Sequence, residues 1–291
     1  MTEQKPNNRV AIVTGASSGI GEAAARRFAK GGFAVVLAAR RKGLLDRVAG
    51  DITRDGGRAL SVPTNLADAT ETSALVQQAL EAFGRVDVLV NNAGYSPPYA
   101  LEQLNRSQLR HVFDVNLLSG MQLIGELTPT MREQGGGRVV NVSSLTRYVG
   151  APFVTAYSAT KGGMEAMTAS ARIELAPWNI RLTVVVPGWV DTPIHDFEAG
   201  KEMREDPNNP YRELQDNLEQ FARDQLESAI PSEDVAEVIW KAATVPNPKP
   251  HYFAPRSAKT AVRMFSVMPN KLAERILRGM YKWDLPRKPD D

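Results

Sequence analysis

Tyr157 and Lys161 stand four residues apart in Tyr157-Ser158-Ala159-Thr160-Lys161, and Ser144 lies thirteen residues upstream of the tyrosine. On a helix beginning near Phe153 the i,i+4 spacing puts the phenol and the ammonium on one face, one turn apart. A phenol titrates near ~10, too high for a base at neutral pH, and a neighbouring cation stabilises its ionised form. The chemistry such a pair offers is general acid–base catalysis with the proton affinity of the tyrosine tuned by the lysine. The same pair is equally at home on a solvated helix face, so its meaning depends on the elements that position it.

The chain has 291 residues, 43% hydrophobic and 23% charged, the profile of an ordinary globular protein with one large α/β domain or two smaller ones. Without cysteine there are no disulfides, no thiolate metal sites and no Cys nucleophile. His111, His195 and His251 show no ligand spacing, so no metal is expected. The N-terminus is polar and no apolar run approaches the ~20 residues of a membrane span, which predicts a cytoplasmic protein. The net charge of +2 conceals an asymmetry: from Lys249 onward there are ten Lys/Arg and four Asp/Glu. The basic balance therefore belongs to the tail, and no nucleic-acid partner is expected.

A β-rich run at 10–14 leads into Thr14-Gly15-Ala16-Ser17-Ser18-Gly19-Ile20-Gly21 and then a helix-like stretch at 22–30. Strand, glycine loop and helix form a context in which the backbone can approach a pyrophosphate, whose charge is favoured at the helix N-terminus; a plain glycine turn is the alternative. The apolar run 33–39 suits a buried parallel strand and ends in Arg40-Arg41. A site for NAD would offer an acid there to the ribose 2′-hydroxyl, whereas two arginines suit a 2′-phosphate and argue for NADP, unless they are merely a solvated pair. Helix-like 43–55, strand 58–62, helix 68–83 and strand 86–90 continue the alternation, which predicts a doubly wound parallel sheet. Asn91-Asn92-Ala93-Gly94 then falls at a strand C-terminus, the edge where such sheets bind ligands. Residues 101–132 read as one long helix or two, with Asn116 inside it. Strand 138–142 delivers Ser144, helix 153–176 carries Tyr157 and Lys161, and strand 180–186 precedes Pro187-Gly188-Trp189-Val190-Asp191-Thr192.

TGASSGIG, NNAG, Asn116, Ser144, YSATK and PGWVDT occur in this order over roughly residues 8–195, and the chain resembles the short-chain dehydrogenase/reductase family. The resemblance implies a Rossmann-type sheet of about seven strands, order 3-2-1-4-5-6-7. It also implies a catalytic set of Asn116, Ser144, Tyr157 and Lys161. Tyr157 would be the general acid in carbonyl reduction and the base in alcohol oxidation. Lys161 would hold the nicotinamide ribose, Ser144 would donate to the substrate oxygen, and Asn116 would anchor a water in a relay to Lys161. Gly15, Ser17, Ser18, Gly19, Ile20 and Gly21 would cradle the dinucleotide, with Arg40 and Arg41 at its 2′-phosphate. Asn65 and Leu66 would lie by the adenine, and Asn92, Ala93, Gly94, Pro187, Gly188, Val190 and Thr192 along the rest of the cofactor. The family usually has Asp where Asn65 stands, and the amide carbonyl of Asn65 can accept the same bond. Relatives commonly form dimers or tetramers through the two long helices.

The expected function is NADPH-dependent reduction of a medium-sized hydrophobic carbonyl, or oxidation of the matching alcohol. A hydroxysteroid-type dehydrogenase and a non-catalytic NADP-binding sensor are the alternatives. Residues 195–230, with only weak helical periodicity, are expected to form the substrate lid. Tyr95, Ser144, Tyr148, Phe153, Trp189 and Phe197 are candidate pocket walls. A catalytic domain over 1–248 would be followed by a basic amphipathic helical extension over 249–291. That extension could cover the cleft, pack on a partner subunit or touch an anionic membrane surface, the first two being favoured.

Overall fold

The computed structural model describes residues 8–192, 201 and 205–283. Its centre is a seven-stranded sheet in the order β3-β2-β1-β4-β5-β6-β7. The strands are β1 Val10–Thr14, β2 Ala34–Ala39, β3 Arg58–Pro63, β4 Val88–Asn91, β5 Gly137–Val142, β6 Ile180–Pro187 and β7 His251–Ala254. All pairings are parallel. VAIVT of β1 and AVVLA of β2 are buried throughout, which is why these segments are continuously apolar instead of alternating.

The helices are α1 Gly19–Lys30, α2 Lys42–Arg54, α3 Ala69–Phe83, α4 Arg106–Phe113, α5 Ser119–Glu133, α6 Thr155–Leu175, α7 Arg212–Leu226, α8 Ser232–Thr244, α9 Arg256–Val267 and α10 Asn270–Met280. One face of the sheet packs on α1, α2 and α8 through residues such as Val13, Phe28, Leu37, Leu45, Val140 and Ile239. The other packs on α3, α5 and α6 through Ile12, Val36, Leu75, Leu89, Leu123 and Leu182. The caps are local: Asp68 accepts from the N–H groups of Thr70 and Glu71 to start α3, and Asn105 and Gln108 satisfy one another's N–H at the start of α4.

The structure departs from the sequence expectation at three places. The long helix over 101–132 is broken into a 3₁₀ turn at Leu101–Gln103, α4, a π turn at Asp114–Leu118 and α5. The π turn carries Asn116, and such widened turns recur at functional sites. Within the weakly periodic 195–230, α7 is a regular helix of 15 residues. β7 lies past the expected division at 248, so the sheet takes its last strand from the segment assigned to the extension. α10 itself packs on the rest of the chain. Leu277, Tyr281 and Trp283 pack with Ala151, Phe153, Tyr211, Leu214 and Phe221 in a small third core beside the start of α6.

Candidate active site

The C-terminal edge of the sheet gathers the loops after β1, β2, β4, β5 and β6. After β1 the chain turns at Gly15 with φ of 68°, and a Cβ there would lie 2.8 Å from Asn92 Nδ2. A Cβ on Gly21 would lie 2.2 Å from the Gly15 carbonyl oxygen, so α1 sits directly on the turn and only glycine fits at both positions. Ser18 precedes α1 without a side-chain capping bond. The N–H groups of Gly19, Ile20 and Gly21 thus have no partner within the helix and are available to an anion. The hydroxyl of Ser18 is engaged elsewhere: Arg41 Nη2 donates to Ser17 Oγ at 2.9 Å and to Ser18 Oγ at 2.7 Å. Among the described residues no carboxylate pairs with Arg41, and Arg40 is exposed next to it. This cradle fits a dinucleotide: anion-seeking amides beside a guanidinium held on two hydroxyls.

The loop after β4 is stitched to β1. Asn92 Nδ2 donates to the Thr14 carbonyl at 3.0 Å, and the N–H groups of Asn92 and Ala93 donate to Thr14 Oγ1 at 3.0 and 3.1 Å. After β3, Asn65 Oδ1 accepts from the Ala67 N–H at 3.2 Å, so the carbonyl expected to receive an adenine amino group already holds the local turn. A second lone pair remains for a ligand. Leu66 is buried in the core against α3. After β6, the Gly188 N–H donates to the Ala254 carbonyl at 2.7 Å and Val190 bridges to Ile230, which pins the 187–192 loop against the end of β7.

Ser144, Tyr157 and Lys161 converge where β5 ends. Ser144 faces the Tyr157 phenol, whose ionised form it favours, and accepts from the Thr146 N–H at 3.2 Å. Lys161, 2% exposed, donates from Nζ to the Val142 carbonyl at 2.7 Å and lies 5.4 Å from the Tyr157 ring centroid. Asn116 is 1% exposed and fully used: its Oδ1 accepts from the Tyr95 N–H at 2.8 Å, and its Nδ2 donates to the Tyr95 carbonyl at 2.8 Å and to Thr160 Oγ1 at 3.2 Å. Its side chain therefore fixes the Tyr95 backbone.

Electrostatics at this centre differ from the sequence expectation in one respect. Burial pushes the Tyr157 phenol up to about 12, opposed by the Ser144 hydrogen bond, and burial pulls the Lys161 ammonium from 10.5 down to about 8. In the protein alone, burial of the phenol outweighs whatever favours its ionised form. The protein alone thus holds a neutral phenol, a proton donor.

Lys161 also marks the stability. The unfolded chain binds its proton more tightly than the folded chain, so between about pH 8 and about pH 10.5 stability rises with pH. The rise from this one group is on the order of 3 kcal/mol. The Tyr157 shift acts in the opposite sense only above its ordinary value of 10.0. Denaturant midpoints at pH 8 and pH 10 are expected to show this gain in the wild type and its loss in Lys161→Met; equal slopes in the two proteins would refute it.

The candidate pocket walls fare unevenly. Tyr95 is 39% exposed at the site mouth, edge-on to His111. Trp189 meets Phe221 of α7 edge-on at 6.0 Å. Tyr148 has its hydroxyl bound to Glu165 at 2.5 Å, and Phe153, 6% exposed with φ of 59°, is a core residue against Tyr211. Both side chains are thus held by contacts within the protein. Phe197 lies outside the described residues. Glu165 itself was not singled out by sequence, although it follows Lys161 by one helical turn, the same spacing that ties Lys161 to Tyr157. Among the described residues no cluster of His, Asp or Glu can hold a metal ion, and no helix is long and apolar enough to cross a membrane.

Comparison with known proteins places this geometry in a family. The family model described as short chain dehydrogenase matches residues 9–202. A cis-4-hydroxycyclohexanecarboxylate dehydrogenase of Sinomonas cyclohexanicum is 42% identical over 188 residues, covering 64% of this chain and 75% of the relative. A metagenomic short-chain oxidoreductase solved in complex with NADP superposes with a TM-score of 0.68 at 29% identity, covering 84% of this chain and 96% of that one. A short-chain dehydrogenase/reductase from Burkholderia phymatum in complex with NAD gives a TM-score of 0.78 at 25% identity, covering 90% of this chain and 94% of that one. The glycine cradle, the parallel sheet and the Ser144–Tyr157–Lys161 line thus have one common explanation: this chain belongs to the short-chain dehydrogenase/reductase family and is an NAD(P)-dependent oxidoreductase acting on CH–OH or C=O groups.

Proposed function

We propose that the protein is an NADPH-dependent reductase of medium-sized hydrophobic ketones, able to run in reverse as a secondary alcohol dehydrogenase. The observation that carries the reading is the convergence of Ser144, Tyr157 and Lys161 at the end of β5, with Lys161 Nζ 5.4 Å from the Tyr157 ring centroid. NADPH, when bound, supplies the hydride. Ser144 donates to the carbonyl oxygen and stabilises the charge that develops there. Tyr157 gives that oxygen its proton. Lys161 orients the ribose and replaces the proton drawn through Tyr157.

NADP is favoured over NAD by Arg41 on Ser17 and Ser18, a guanidinium that has no acidic partner among the described residues and suits a 2′-phosphate. Solved relatives in complex with NADP and with NAD both exist, so the preference rests on these residues. Gly15, Ile20, Asn92, Gly94, Pro187, Gly188, Val190 and Thr192 line the rest of the cofactor in this reading. Tyr95 and Trp189 give the pocket an apolar character in this reading. The helical tail, packed in the third core, serves as a cover to the catalytic domain, which works in the cytoplasm as a dimer or tetramer. The ring alcohol in the name of the 42%-identical relative makes cyclic ketones the first substrates to try. Following NADPH absorbance with cyclohexanones, α-diketones and steroid ketones is expected to reveal turnover with at least one ring ketone. Tight NADPH binding with no turnover across the panel would point to a sensor instead.

A further inference from the structure

We infer that Glu165 is a positioning residue of the active site, which clamps segment 143–148, and with it Ser144, onto the helix that carries Tyr157 and Lys161. The inference rests on the catalytic reading of Ser144 above. Glu165 is a carboxylate only 7% exposed, on α6, one turn beyond Lys161. Its Oε1 accepts from Ser143 Oγ at 2.6 Å and its Oε2 from Tyr148 OH at 2.5 Å. These two donors bracket Ser144: one directly precedes it, and the other ends the 3₁₀ turn Leu145–Arg147 that Ser144 opens. Two short charge-assisted bonds, one from each oxygen, therefore hold both ends of the loop.

The groups around the carboxylate are Arg147 Nε at 3.8 Å and His251 Nε2, from β7, at 3.5 Å, both near Oε2. Burial pushes the carboxyl up, but the contacts with His251, Ser143 and Tyr148 outweigh it and hold the group below the usual carboxylate range. An ionised carboxylate accepts at both oxygens at once, which neither an amide nor a protonated acid can do. A buried charge is a costly way to tie a loop down, and an apolar contact would serve stability as well. What the carboxylate adds is direction. It sets the Ser143 and Tyr148 hydroxyls, and so the backbone between them, relative to α6. Ser144 must reach Tyr157 and a substrate oxygen together, and a displacement near 1 Å costs about 10²-fold in rate.

The test is a double-mutant cycle between Glu165→Gln and Ser144→Ala in the full chain, read as kcat for a turned-over ketone, KM for that ketone and Kd for NADPH. Ser144→Ala is expected to lower kcat by about 10²-fold as a lost oxyanion donor. Glu165→Gln is expected to lower kcat by about tenfold, with NADPH affinity unchanged within about twofold. In the double variant kcat should equal that of Ser144→Ala alone, because Glu165 acts only through that serine. Losses that multiply in the double variant, or an unchanged kcat in Glu165→Gln, overturn the inference while leaving the catalytic reading intact. An unchanged kcat in Ser144→Ala overturns that reading and this inference with it. Tyr148→Phe removes one arm of the clamp at a half-buried position and gives the same cycle if the glutamine variant is unstable.

Discussion

Tyr157→Phe is expected to lower kcat for ketone reduction by about three orders of magnitude while Kd for NADPH moves less than about threefold. The ring that packs beside Lys161 is kept, and the variant lacks only the hydroxyl to which the proposal assigns the proton. General acid catalysis contributes about 10²–10⁴-fold, and here the donor is a phenol that burial keeps protonated up to about 12. The two directions should also respond differently to pH. Reduction uses the neutral phenol, present throughout the neutral range, and declines as Lys161 loses its proton near pH 8. Oxidation needs the phenolate and gains from rising pH. Steady-state rates in both directions from pH 6 to pH 10, with NADPH fluorescence titrations of the variant, provide the check. A Tyr157→Phe protein with wild-type kcat contradicts the assignment.

Arg41→Ala is expected to weaken NADPH by about 10²-fold and NADH by less than about twofold, lowering the preference for the phosphorylated cofactor by the same ratio. Arg41 spends its Nη2 on Ser17 and Ser18, so it is already oriented beside the loop at the N-terminus of α1. A 2′-phosphate would draw two charge-assisted bonds from such a group, each worth about 1.5–3 kcal/mol, with part of that lost to solvent at this exposed position. The effect should shrink with added salt, since an exposed guanidinium–phosphate contact is screened. Equal KM changes for the two cofactors would mean that Arg41 supports the loop and does not read the phosphate.

The parallel sheet and the cofactor cradle were legible because each depends on local chemistry. The doubly apolar runs of β1 and β2, the glycines at 15 and 21 where a Cβ would collide, and the one-turn spacing from Tyr157 to Lys161 are all visible without neighbours in space. Less legible was whatever depends on the partner of a side chain. Tyr148 read as a pocket aromatic because nothing local ties it to Glu165, which is 17 residues away. Phe153 read as a wall because its companions Tyr211 and Tyr281 come from distant segments. Asn116 read as lying inside a regular helix, and the π turn around it becomes intelligible only with the Tyr95 backbone in place. The stripe Leu214, Leu218, Phe221 and Ala222 of α7 is a proper helical pattern, diluted in sequence by the polar, Pro/Asn-rich stretch before it. The spacing of Tyr157 and Lys161 likewise says nothing of how deeply the phenol is buried, and in the protein alone that burial holds it neutral.

Transfer of deuterium is the most direct test of the account. The protein would be incubated with NADPH carrying deuterium on the transferring face of C4 and a hydrophobic cyclic ketone, and the alcohol analysed by mass spectrometry. The account predicts one deuterium on the carbinol carbon for each NADPH consumed, with transfer reduced by about 10³-fold in Tyr157→Phe. Alcohol formed without deuterium when either face of C4 is labelled, or label transfer undiminished in that variant, would contradict it.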